Sequence, residues 1–179
     1  MNRFLERSYE RITIADLDAL KNLALIEQKS FFDRNPKYRE PYQNALIAIT
    51  LCQGAALHFL DDKNGIKDFD IWYFYARVTN MKYPPRAMKL VDSRMQKFGV
   101  NPNDANRGYV GRRIHLLGRD IDCQHRRGQH DPRECIIRYL VTRKTETARR
   151  LSEKGVIGLY PATIFGKVIW PKNDDRKVG

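Results

Sequence analysis

Gly54-Ala55-Ala56-Leu57-His58-Phe59-Leu60, then a polar turn, then Lys67-Asp68-Phe69-Asp70-Ile71: this stretch decides how the chain reads. An apolar run, Gln43 to Gln53, precedes it and is read as a short helix end feeding a buried strand near Ile47 to Cys52, although so short a run fits helix or strand. Small residues after a strand let the backbone approach a ligand, and a helix starting there offers unpaired N–H groups to a phosphate. Asp68-Phe69-Asp70 opens the next strand, Phe69 to Val78, which is rich in aromatic and branched residues. A period of two puts Asp68 and Asp70 on one face and Phe69 in the core. Adjacent carboxylates repel each other, and divalent cations relieve that repulsion; magnesium favours one or two carboxylates plus substrate phosphates. Each half of the pattern also has a structural explanation. Gly-Ala-Ala after a strand can be mere packing, and a D-x-D pair can be a solvated turn.

Outward from this stretch, residues 12–32 have helical spacing, with Thr13 or Asp16 as cap, and Asn35-Pro36 stops the helix. Residues 37–42 are expected to be a connector. Pro84-Pro85 is expected to open a helix reaching Phe98, with Met88, Leu90, Val91 and Met95 inward. Arg112 to Leu117 is a third strand candidate. Pro132 opens a helix to about Val141, a second runs from Thr145 to Lys154, and VIGLY and KVIW are short strands. The class expected is α+β, a mixed sheet flanked by helices in one domain over 1–179. Residues 1–42 would form a helical extension and 132–179 the C-terminal helices and short strands.

Ordered this way, Gln53-Gly54-Ala55-Ala56-Leu57 and Lys67-Asp68-Phe69-Asp70-Ile71 resemble the signature of the nucleotidyltransferase superfamily. They are closest to its minimal and abortive-infection-toxin-like branches. The resemblance covers residues 45 to about 120. It implies that the turn at Gly54, Ala55 and Ala56 holds a nucleoside triphosphate. It also implies that Asp68 and Asp70 bind Mg2+, as one or two ions, and that a third carboxylate follows on a later strand. The sequence departs from the pattern in two ways. Ala55 and Ala56 lack the hydroxyl usual in the turn. His115 stands at the expected third position, with Asp120 just beyond, so either residue is a candidate for activating the acceptor. Arg112 and Arg113 are candidates for a phosphate, and Lys67 for balancing the aspartates.

The chain has 33 Lys and Arg against 21 Asp and Glu, a net charge of +12 and a pI near 9.8. This surplus lies mainly in the second half, from Arg107 to Arg150, and favours a polyanion such as RNA as partner. Solvation of a soluble surface explains the same charge. The first ten residues do not look like a signal peptide, and no apolar run spans a bilayer. Three cysteines without an export signal suggest a reducing, cytoplasmic setting. Cys123, His125, His130 and Cys135 lie close enough in sequence to suggest zinc, but their spacing lacks a C-x-x-C element. Trp72, Tyr73, Phe74 and Tyr75 suit either a core or base stacking, and His58 suits a surface, capping or phosphate role. The functions carried forward are magnesium-dependent nucleotidyl transfer and, alternatively, a catalytically lapsed fold that binds RNA or protein. A structural protein in which the D-x-D pair is incidental stands third.

Overall fold

The computed structural model describes residues 6–84, 89–123 and 131–172. Thr13 and Asp16 form a reciprocal capping box: the Thr13 hydroxyl accepts from the Asp16 amide, and the Asp16 carboxylate accepts from the Thr13 amide at 2.7 Å. It starts helix α1 (Ile14–Arg34), whose Leu17, Leu20, Ala24 and Phe32 are buried against the sheet. Pro36 does not begin a connector. It stands at the first position of a second helix, α2 (Pro36–Tyr42), where its missing N–H costs nothing. Strand β1 (Leu46–Cys52) leads into α3 (Gln53–Asp61), then β2 (Phe69–Ala76).

The helix expected over 84–98 is not formed by the described residues there. Lys89–Asp92 is instead an edge strand, β3, and Gln96–Phe98 a single 3-10 turn. Leu90, expected to face inward, is 37% exposed. A short helix α4 (Pro102–Ala105) precedes β4 (Arg113–Ile121), which extends four residues past the expected strand. Helices α5 (Pro132–Thr142) and α6 (Glu146–Ser152) and strands β5 (Val156–Tyr160) and β6 (Val168–Trp170) follow as anticipated.

The six strands form one mixed sheet in the order β3-β4-β2-β1-β5-β6, with β2 and β4 parallel and every other pair antiparallel. On one face, Ile49, Leu51, Ile71, Ile114 and Leu116 pack with α1 and α3. On the other, Ala48, Phe74 and Val156 pack with Ile136 and Leu140 of α5 and Leu151 of α6. Each fully buried aliphatic side chain contributes about 1.5–3 kcal/mol. The fold is therefore α+β, a mixed sheet flanked by helices.

Candidate metal centre and cleft

Cys52, the last residue of β1, lies in register with Asp70 of β2, and Asp70 lies in register with His115 of β4. The turn after Cys52 therefore begins beside Asp70. Gln53 takes a positive φ of 60°, a conformation costly for a residue with a Cβ, and its amide donates to the Gly155 carbonyl at 3.0 Å. No side chain caps α3. Ala55 and Ala56 are 1% and 0% exposed, backbone included, so neither residue meets a ligand at this turn, and only the part-exposed Gln53 and Gly54 are open to one. Gly54 is held by Asn64, whose amide donates to its carbonyl at 3.0 Å.

Asp68, just before β2, and Asp70, within it, share the sheet face that also carries His115. The imidazole bridges them: Nδ1 is 3.1 Å from an Asp70 oxygen and Nε2 is 3.6 Å from an Asp68 oxygen. All three side chains are mostly buried, between 15% and 22% exposed. The hydrogen bond to Asp70 pushes the His115 pKa up. Burial opposes this, and the charges of Asp68 and Asp70 add to it. Burial first, and then the Asp70 charge, push the Asp68 carboxyl above the usual range against the pull of His115, Arg113 and Lys67.

One ligand atom from each of Asp68, Asp70 and His115 lies within 4.8 Å of the others, so the three form a group able to hold a metal ion. Ligand atoms about 2.0–2.2 Å from one ion stand no more than about 4.4 Å apart, so a small inward movement suffices. Two carboxylates alone suit magnesium. The added imidazole suits manganese or zinc better.

Arg113 extends the cluster, with Nη2 3.8 Å from Asp68 and Nη1 3.5 Å from Asp104, a carboxylate the sequence reading passed over. Arg112 points the other way and is fully buried. Its Nε donates to the Phe98 carbonyl at 2.9 Å and its Nη1 to the Glu6 carbonyl at 3.1 Å. It ties loops together and is not available to a phosphate.

Asp120 does not join the site. It lies five residues beyond His115, on the opposite face and about 16 Å further along the strand. There it accepts from the Tyr42 hydroxyl at 3.1 Å and the Tyr83 amide at 3.3 Å, beside a separate cavity of about 690 Å³. His58 is fully buried: Nδ1 accepts from the Gly65 amide and Nε2 donates to the Glu10 carbonyl, each at 3.1 Å. It braces the loop beyond α3 and is neither a surface nor a phosphate-binding residue. Lys67 is exposed, and its charge favours ionised Asp68.

Cys123 and Cys135 are joined as a disulfide with Cα atoms 5.4 Å apart, which removes two thiolates from the zinc reading and departs from the expected all-thiol state. His125 and His130 lie outside the described residues. Cys52 is a buried thiol.

The cluster opens into a cleft of about 520 Å³. Asp70, Trp72, His115 and Leu117 of the sheet form one wall. Gln53 and, from α6, Glu146, Thr147, Arg150 and Leu151 complete the lining. Tyr73 and Tyr75 are buried on the other face, at 5% and 1% exposure. Phe74 is also buried, so Trp72 is the one member of that aromatic run to line the cleft. Gln53 neighbours Gly54 and was within reach of the sequence reading. The α6 wall carries no local signal that would have joined it to Asp70.

Comparison with protein families, with curated proteins and with solved structures finds no match to this chain. Among the described residues, no helix is long and apolar enough to cross a membrane.

Proposed function

We propose that the chain is a divalent-metal-dependent nucleotidyltransferase that moves a nucleoside monophosphate from a triphosphate to an acceptor hydroxyl. One observation carries this reading. Asp68, Asp70 and His115 converge within 4.8 Å, and Asp70 and His115 line a cleft that Gln53 also lines. This convergence supports the reading, with an imidazole standing where the resemblance implies a third carboxylate.

Asp68 and Asp70 would hold the cation, which when bound neutralises phosphate charge. The donor set fits such an ion, with His115 either completing the ligand shell or serving as base. As base, His115 takes the proton of the acceptor hydroxyl while oxygen bonds to the α-phosphorus and the bond to pyrophosphate breaks. Asp70 orients the ring for this. The backbone at Gln53 and Gly54, both part-exposed, would face the phosphates, with Arg113 beside them. RNA is the acceptor the charge favours, since Arg138, Arg143, Lys144, Arg149 and Arg150 are all exposed on or beside α5 and α6. We place the protein in the cytoplasm, where nucleoside triphosphates abound.

Thermal unfolding with ATP, CTP, GTP or UTP and Mg2+ or Mn2+ tests the reading. At least one nucleotide should raise the wild-type melting temperature by about 5–10 °C near saturation and leave Asp68→Ala/Asp70→Ala unmoved. Labelled nucleotide should then appear on RNA. No shift with any pair refutes the proposal.

The imidazole at the third position and the buried methyl groups of Ala55 and Ala56 favour a second reading, a lapsed site on an RNA- or protein-binding module. That reading expects RNA affinity that falls steeply with salt and survives the double substitution.

A further inference from the structure

We propose that Trp72 is the docking surface for the nucleobase of the bound triphosphate, an inference that rests on the nucleotidyltransferase reading. Asp70 and Trp72 are two residues apart on one strand, so they face the same way about 6.7 Å apart. That is about the span of the sugar between a nucleobase and its first phosphate. A base laid on the indole therefore leaves its phosphates at Asp70 and His115.

The cleft suits a flat, half-apolar ring. Leu117, beside Trp72 on the neighbouring parallel strand, and Leu151 of α6 supply apolar wall. Glu146 and Thr147 supply polar groups for a ring edge. The volume of about 520 Å³ falls in the range that holds small ligands, about 300–1,000 Å³.

A second observation points to a ligand. The Trp72 Nε1–H is buried and has no hydrogen-bond partner among the described residues. A buried indole N–H ordinarily finds an acceptor, and a small turn of the ring as a base docks would bring it to the carbonyl or ring nitrogen of that base. Trp170 shows the ordinary case, its Nε1 donating to the Ser152 carbonyl at 2.8 Å.

The chain has two tryptophans, so Trp170→Phe makes Trp72 the sole indole reporter. In that variant, with Mn2+ or Mg2+, the preferred nucleoside triphosphate should quench the fluorescence. Inorganic tripolyphosphate should raise the melting temperature without quenching. In the full chain, Trp72→Ala should weaken nucleotide binding about tenfold while tripolyphosphate binding stays within twofold, and Trp72→Phe should recover most of the loss. A nucleotide that stabilises the protein without quenching overturns the inference and leaves the enzyme reading standing. So does a Trp72→Ala variant that loses nucleotide and tripolyphosphate binding equally. If neither triphosphate stabilises the protein, both proposals fall together.

Discussion

Arg113→Met removes the cation that stands between Asp68 and Asp104 and leaves a side chain of similar length. The guanidinium is 3.8 Å from Asp68 and 3.5 Å from Asp104, and the Asp104 side chain is only 4% exposed. At an effective dielectric constant of about 20, each contact is a gross attraction of roughly 4–5 kcal/mol. Desolvation of all three groups offsets much of this. Removing one partner of a buried pair typically costs about 3–5 kcal/mol, because the stranded charge remains. These contacts are longer than hydrogen bonds, which argues for the low end. The expected loss is about 3 kcal/mol, or about 6–12 °C in melting temperature for a chain of this size. Urea unfolding of wild type, Arg113→Met, Asp104→Asn and the double variant measures it. The double variant should be at least about 1.5 kcal/mol more stable than the two single losses summed, because neither charge is then stranded. A single-variant loss below about 1 kcal/mol, or simple additivity, would refute this account of how Arg113 is held.

His115→Asp, which restores a carboxylate at the third position, should shift cation preference towards Mg2+ and away from Mn2+; thermal shifts across the two metals check this. Asp68→Asn should raise the melting temperature of metal-free protein by about 2–4 °C, since the ionised carboxylate is disfavoured by burial and by Asp70; added Mn2+ should then stabilise wild type but not the variant. Asp16 gives a pH dependence. Burial alone would raise its pKa, but hydrogen bonds from Lys97 and from the Thr13 amide and hydroxyl outweigh that and hold it below the ordinary value. Its stabilisation is thus present above the unfolded value of about 3.9 and lost as pH falls through the lower folded value. Asp16→Asn should cost about 1–2 kcal/mol at pH 7 and progressively less near pH 2–3 in urea unfolding.

Most elements were legible because sequence pattern reports burial: α5 and α6 each have one apolar side, and β1 and most of β2, covered on both faces, are continuous runs of apolar and aromatic residues. The 84–98 segment misled because Leu90, Val91 and Met95 fit a helical face, whereas Lys89–Asp92 is held by pairing with β4, a neighbour distant in sequence. Asn35-Pro36 was read as a stop because proline cannot continue a helix, yet the same residue is well suited to start one. Within the site, the D-x-D pair and His115 were legible from strand parity. Asp120 was not, because β4 runs on unbroken to Ile121 and carries it to the opposite face and the far end. The α6 wall could not have been read from the sequence, because only chain folding brings it to the same cleft as Trp72.

Because β2 and β4 run in the same direction, no tight hairpin can join them, and the chain must travel through β3 and α4 before His115 arrives beside Asp70. The trio is thus assembled by lateral pairing of two segments rather than by their local sequence. Residues added within the intervening excursion would leave it whole, whereas one residue inserted in β4 ahead of His115 would turn the imidazole to the other side and undo it.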